Sequence, residues 1–260
     1  MISISIVSHG HGHMVKGLVA NLLAYPEIGQ VTVTCNIPES LTLPSDSRIL
    51  LLNNAIPAGF ATNHNAAFRH SFLPYFCPLN PDVQFWSNPF PRLLDALQEA
   101  DATIVTPLVK SPKGEIEDSI RSFPTLWSLL SKALKRPNDD FKIENFQTSF
   151  YSDWVAGMFM LFRSEDFEKL GGFDDGFFLY YEDVDICARC WKAGMKVLAC
   201  PSVSIIHDAR RASRHNLRYM CWHLASMVRY FYKYWGRLPN SGGSTRIQAK
   251  SQPQKTEHSP

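Results

Sequence analysis

Isoleucine and serine alternate strictly at the start of the chain, Ile2-Ser3-Ile4-Ser5-Ile6, a period of two that predicts a strand ending at Ser8. Gly10 and Gly12 then turn the backbone toward a helix beginning near Met14, whose apolar positions Val15, Leu18, Val19, Leu22 and Leu23 share one face. The exchange of periods repeats. Short β-branched or leucine-rich runs at 31–35 and 48–52 predict strands, 63–72 a short helix, and 75–83 a buried strand that breaks at Pro81. A helix with proline in its first turn follows at 89–100, then a strand at 102–109. The apolar run 154–162 reads as one strand and 164–173 as a short helix capped by Ser164 and stopped by Gly171. A helix over 183–194 and a strand over 196–206 complete the alternation, which predicts an α/β fold with a mostly parallel sheet.

Two segments break the pattern. Residues 135–148 are polar and aperiodic, so a mobile loop is expected there. Near the end, Leu217, Met220, Cys221, Leu224, Met227, Val228 and Phe231 recur at three-and-four spacing, predicting a long amphipathic helix over about 212–236 that buries this stripe. Residues 239–260 hold almost no large apolar side chains and are expected to form a disordered tail.

Composition narrows the function. A net charge of +2 over 260 residues leaves no general basic surface, so nucleic acid is not expected as a partner. Six cysteines without framework spacing fit reduced thiols in a cytoplasmic protein; Cys187 and Cys190 lie within one predicted helix and read as buried thiols. No run reaches the roughly 18 apolar residues of a membrane span, and the amino terminus enters a strand without a secretory leader. The last helix is different: Arg210, Arg211, Arg214, Arg218, Arg229, Lys233 and Arg237 face only Asp208 and are interleaved with tyrosine and tryptophan. That combination suits an anionic membrane surface, which would place the protein peripherally on the inner face of the cytoplasmic membrane.

Candidate chemistry gathers where folding does not require it. Asp82 follows Pro81 beyond an apolar strand, the place where open α/β sheets bind ligands, and with Asn80 it could hold a divalent cation and a diphosphate; a turn-forming Asn-Pro-Asp is the competing reading. Glu182, Asp183 and Asp185 crowd into four positions behind Phe177, Phe178, Tyr180 and Tyr181. Burial beside rings and other carboxylates raises a carboxyl pKa and makes a general base, although acids at a helix amino terminus are favoured by the macrodipole alone. Arg189 reads as an ion-pair partner for a nearby acid. His9, His11 and His13 alternate as zinc ligands on a strand would, but with no further ligand nearby they are expected to face nucleotide or solvent.

The order of "SIVSHGHGHMVKGLVANLL", "NNAIPAGFATNHNAAF", "LNPDV", the long segment from Trp154 to Gly194 and "IIH" resembles the family 2 glycosyltransferases, specifically bacterial rhamnosyltransferase-type members that build surface polysaccharides. The resemblance implies a GT-A-like fold over 1–238, with a nucleotide-binding half at about 1–110 and an acceptor and catalytic half at about 111–207. It implies transfer of a sugar, L-rhamnose foremost, from a dTDP- or UDP-sugar to a hydroxyl of a glycan or polyprenyl-linked glycan, with inversion. It further implies that Asp183, paired with Glu182, is the base. Ser8, His9, Gly10, Asn36, Gly59, Phe60, Asn65, Asn80 and Asp82 would form the nucleotide-sugar site, Trp154 and Gly157 the acceptor segment, and Asp82 and His207 the ligands of Mg2+ or Mn2+. Two departures stand out. The acid that family members place after the second strand to read the base is replaced by Cys35 and Asn36, and the first acid of the metal motif by Asn80, a weaker ligand for a hard cation. Two other classes remain compatible with a diphosphate site: a metal-dependent hydrolase or nucleotidyltransferase, and a non-catalytic nucleotide-sugar binding subunit.

Overall fold

A computed structural model describes residues 1–128, 148–207 and 217–239. The expected loop at 135–148, apart from Thr148, the segment 208–216 with Asp208, Arg210, Arg211 and Arg214, and the tail beyond Pro239 lie outside these described residues.

The isoleucine alternation forms β1 (Ile2–Ser8), which lies between β2 (Ile28–Cys35) and β4 (Tyr75–Leu79), parallel to both, with Ile4 opposite Val31 and Cys77. β3 (Ile49–Asn53) extends the sheet beyond β2. On the other side, β10 (Leu161–Arg163) runs antiparallel between β4 and β6 (Ile104–Lys110), and β6 pairs in parallel with β11 (Val197–His207). β5 (Val83–Gln84) and β8 (Phe150–Tyr151) add antiparallel pairs to β11. The strand order 3-2-1-4-10-6-11-5 therefore reverses direction between β1 and β4, and such a switch opens a crevice beyond the carboxyl ends of the strands.

Side-chain alternation divides the core between the two sheet faces. Ile2, Ile4, Ile6, Cys77, Leu79, Val105 and Val109 meet α1 (Gly12–Leu23) and α3 (Phe90–Glu99) on one face. Phe76, Ile104 and Leu108 meet the other layer: α2 (Phe60–Phe68), α4 (Ser164–Lys169), α5 (Glu182–Lys192) and α6 (Leu217–Tyr234). The three isoleucines of β1 are wholly buried, so each is worth about 1.5–3 kcal/mol of burial. Ser5, on the opposite side of β1, is buried against α2, where its hydroxyl lies 2.8 Å from His64 Nδ1.

Three expectations are corrected. The run 154–162 is two strands, because its backbone changes partners midway. β9 (Trp154–Val155) pairs with β7 (Ile120–Arg121) in a separate sheet, and Ala156 N–H still bonds to Ser119 O; two residues later Met158 O accepts from Asn80, and Met160 N–H reaches Pro78 O. Ser164 does not cap α4: its hydroxyl donates to Leu73 O at 2.6 Å, and Arg163 occupies the cap position. Gly171, at φ +74°, does end that helix. In α6 the expected apolar stripe mostly faces outward. Leu217 is 74 % exposed and Val228 64 %, with Met220, Cys221 and Leu224 also exposed, while Ser226, Tyr230 and Tyr234 are buried. Tyrosine takes this face because each ring is large and apolar, and the Tyr234 hydroxyl donates to Asp185 Oδ1 at 2.8 Å, while that of Tyr230 is buried without a hydrogen-bond partner among the described residues.

Candidate active site

The approach to α5 is strained. Tyr180 and Tyr181 are consecutive non-glycine residues in the left-handed region, at φ 69° and 66°, a conformation costing about 1–3 kcal/mol each. Neighbouring elements hold the turn in place. Ser226 of α6 donates to Leu179 O, the Tyr230 ring lies 5.2 Å from that of Tyr181, and Phe60 N–H bonds to Phe178 O. Gly59 permits that last contact, since a Cβ there would lie 2.4 Å from Phe178 O.

The turn delivers three acids into different surroundings. Asp185 is fully buried and saturated: Arg189 Nε donates to it at 2.8 Å, Lys233 Nζ lies at 2.6 Å, and Tyr234 donates as well. The expected partnership of Arg189 with a nearby acid is this one. Asp183 is half-buried and accepts from backbone donors, Gly157 N–H on Oδ2 at 3.0 Å and Val184 N–H on Oδ1 at 2.8 Å, with the Arg121 charge also acting on it. Burial raises its pKa while those N–H groups pull the other way. Glu182 is buried, with Oε2 lacking any hydrogen-bond partner, and burial, reinforced by Asp183, pushes its pKa well above the carboxylate range.

The second acidic motif lies beyond β4. Asn80 N–H donates to Met158 O at 3.0 Å, while the preceding residue Gly157 donates to Asp183. One dipeptide therefore ties the Asn80-Pro81-Asp82 turn to the Asp183 carboxylate. Gly157 has little room for a side chain, because a Cβ would meet the Phe60 ring at 3.2 Å and Asp183 Cβ at 3.5 Å. Asp82 Oδ1 is buried without a hydrogen-bond partner and lies 3.3 Å from His207 Nε2; the other ring nitrogen, Nδ1, lies 2.9 Å from Glu117 Oε2. Burial lowers the His207 pKa, and the carboxylates on either side outweigh it, for a net rise. Glu117 belongs to neither acidic motif of the sequence and lies in a stretch for which the pattern predicted no element.

At the ends of β1 and β2 the Asn36 and Ser8 groups are engaged, although Thr34 Oγ1 within β2 is buried without a hydrogen-bond partner among the described residues. Asn36 Oδ1 accepts from Asn54, Ala58 N–H and Asn63, and its amide nitrogen reaches Ala58 O and lies 3.3 Å from His9 Nδ1. Ser8 O accepts from Asn36 N–H, and Ser8 Oγ accepts from His11 N–H. Gly10, at φ +80°, donates to Glu39 Oε1 at 3.3 Å. His9 and His11 take different partners, and among the described residues no group of three or more His, Cys, Asp or Glu side chains is arranged to hold a metal. A cavity of about 620 Å³ opens here, lined by Cys35, Ile37, Pro38, Glu39, Ser40, Asn53 and Asn54. Asp82 and Asp183 do not line it. Glu39 supplies an acid beyond β2, four residues after Cys35, where the sequence pattern suggested none.

The remaining expected site residues have protein partners. Asn65 spends its amide on Phe173 and Asp175, binding α2 to the loop before the tyrosine turn. Trp154 is 7 % exposed and donates its indole N–H to Ser122 O, which makes it part of the wall. Cys187 and Cys190 are buried in α5 with pKa values driven up by burial, Cys190 to about 12.

Comparison with known proteins agrees with this architecture. A family model described as the N-terminal domain of galactosyltransferase matches residues 140–215. Rhamnosyltransferase WbbL of Escherichia coli K12 is 32% identical over 249 residues, covering 88% of this chain and 92% of that protein. The N-acetylglucosaminyl-diphospho-decaprenol L-rhamnosyltransferase of Mycobacterium tuberculosis is 32% identical over 140 residues, 49% of this chain and 45% of that protein. Among solved structures, GalNAc-T7 with UDP, GalNAc and Mn2+ superposes with a TM-score of 0.64 at 16% identity, covering 81% of this chain and 43% of that one. Mannosyltransferase PcManGT of Pyrobaculum calidifontis, in complex with GDP-Man and Mn2+, gives 0.55 at 17% identity, covering 90% of this chain and 64% of that one; these two likenesses bear on the fold alone. A GT-A sheet with paired acids beyond its strand ends, joined to a relative that matches nearly end to end, places the chain among the family 2 glycosyltransferases, as a rhamnosyltransferase-like member.

Proposed function

We propose that this glycosyltransferase transfers L-rhamnose from a dTDP- or UDP-linked donor to a hydroxyl of a polyprenyl-linked glycan, with Asp183 as base and inversion at the anomeric carbon. The observation that carries this reading is the Gly157-Met158 dipeptide, which joins the Asp183 carboxylate to the Asp82 turn. The Escherichia coli and Mycobacterium tuberculosis relatives, both rhamnosyltransferases by name, support the sugar, and the name of the second supports a polyprenyl-diphosphate acceptor.

Asp82 fits a divalent cation, Mg2+ or Mn2+: its buried Oδ1 has no hydrogen-bond partner, and His207 Nε2 lies beside it. Two protein ligands are too few for a resident ion and suit one that arrives with a diphosphate, whose oxygens and water complete its shell. When bound, the cation offsets the charge that builds on the departing diphosphate. Asp183 accepts the proton of the acceptor hydroxyl, whose oxygen forms the new bond to the anomeric carbon as the donor's C–O bond breaks and its electron pair leaves with the diphosphate. The N–H groups of Gly157 and Val184 hold both carboxylate oxygens in place for that transfer. The 620 Å³ cavity beyond β2 and β3 would take the nucleoside, with Glu39 rather than the saturated Asn36 facing it.

α6 supports a peripheral membrane position. Its exposed Leu217, Met220, Leu224 and Val228 accompany Arg218, exposed Trp235 and Arg237 follow it, and residues 217–239 hold no acid. Among the described residues no helix is long and apolar enough to cross a membrane. Incubating the protein with dTDP-rhamnose or UDP-sugars, with and without a polyprenyl-diphosphate-linked acceptor, and weighing the products tests the reaction. An acceptor heavier by one sugar is expected; free sugar released at the same rate without acceptor would make the protein a hydrolase.

A further inference from the structure

His207 is gripped from two sides. On one side it pairs with Val83 of β5, the residue after Asp82, which sets its Nε2 3.3 Å from Asp82 Oδ1. On the other side the chain leaves β6 at Lys110, turns through Gly114 at φ +83°, and folds back so that Ile116 bridges Lys110 and Glu117 N–H bonds to Val109 O. Val109 and Lys110 lie opposite Ile205 and Ile206 of β11, so this hairpin brings Glu117 alongside His207, where Oε2 meets Nδ1 at 2.9 Å. The turn itself needs no acid at this position: Ser111 N–H and Glu115 O close it.

An imidazole carries its two nitrogens on diverging edges. Glu117 and Asp82 take opposite edges, so they cannot share one ion through His207, in keeping with the lack of any three-ligand cluster among the described residues. A carboxylate at Nδ1 holds a hydrogen there, so that when a cation displaces the proton at Nε2 the lone pair is aimed along the Asp82 side, the arrangement that makes histidine a directed metal ligand. We infer that Glu117 is a positioning residue: it orients His207 and fixes its tautomer, so that Nε2 and the unpartnered Asp82 Oδ1 converge on the diphosphate-bound cation. This inference rests on the cation reading above and adds a residue that neither sequence motif contains.

The test measures Mn2+ binding with dTDP and with UDP in turn, by the loss of the free-ion EPR signal, and 14N coupling to Mn2+ by pulsed EPR. The wild-type protein is expected to show imidazole coupling, and Asp82→Asn and His207→Ala to bind Mn2+ far more weakly. Glu117→Ala should lose about 10–100-fold in Mn2+ affinity together with the 14N coupling. Glu117→Gln, which keeps an acceptor oxygen for Nδ1–H, should retain the coupling and lose less, and it carries the test if the alanine variant does not fold. Glu117 variants that bind Mn2+ with wild-type affinity and coupling, while His207→Ala does not, would overturn the inference and leave the cation reading standing. Wild-type Mn2+ binding by both His207→Ala and Asp82→Asn would overturn the cation reading, and this inference with it.

Discussion

The amide cluster beyond β2 and β3 and the acid cluster around β4, β11 and α5 share one edge of the sheet, yet their polar groups are treated in opposite ways. Asn36, Asn54 and Asn63 satisfy one another and the 58–59 backbone. Across the switch between β1 and β4, Asp82 Oδ1 and Glu182 Oε2 are buried without hydrogen-bond partners among the described residues, and backbone N–H groups hold Asp183. A saturated buried network rigidifies; an unsatisfied buried carboxylate is a standing cost that a ligand or a proton can relieve. The contrast separates a region that keeps shape from the one we propose for the chemistry, and Asp185 shows that it follows surroundings rather than residue type: two positions from Asp183, it is neutralised by Arg189 and Lys233.

The contrast can be pressed at both ends. The largest stability effect is expected from Asp185→Asn, which leaves Arg189 and Lys233 facing a neutral amide in a buried site and should cost about 3–5 kcal/mol in urea unfolding. Asp82→Asn should leave the unfolding midpoint nearly unchanged and lower both donor affinity and transfer, the latter by about 10²–10³-fold, because it removes charge where the diphosphate departs. Asn63→Ala should do the reverse: the loss of a buried amide costs about 1–3 kcal/mol of stability, with turnover by the folded fraction kept. If Asn63→Ala abolished turnover while sparing stability, the division between the two regions would collapse.

Acid should reach the scaffold through His64. Burial lowers its pKa to about 3, far below the usual imidazole value, so below about pH 6.5 the unfolded chain takes a proton that the folded one refuses. Stability should fall by about 2 kcal/mol between pH 7 and pH 5 from this group, and go on falling toward pH 3. His64→Gln should flatten that slope in urea titrations; an unchanged slope would contradict a neutral His64 in the fold.

Much of the scaffold was legible because local periodicity and burial agree. The isoleucines of β1 and the apolar face of α3 mark their own partners, and acids followed by Arg189 mark α5. What was illegible depends on distant backbone. Nothing in Trp154–Phe162 announces that Met158 will answer Asn80 and Gly157 will answer Asp183, so one strand was expected where two stand. Glu117 gains meaning only through the hairpin that lays it beside β11. In α6 a hydrophobicity pattern marks the wrong face, because Tyr230 and Tyr234 are the side chains buried there and Tyr234 also reaches Asp185. The acids of the proposed site stand out in the sequence as motifs; the backbone link between their segments through Gly157-Met158 exists only in three dimensions.

Asp183→Asn tests the account most directly, with transfer and donor binding measured on the same preparation. The amide keeps the shape and an oxygen for a backbone donor but cannot take a proton, so the turnover number should fall by about 10²–10⁴-fold while donor affinity stays at the wild-type value. Wild-type turnover by this variant would contradict the assignment of Asp183 as base.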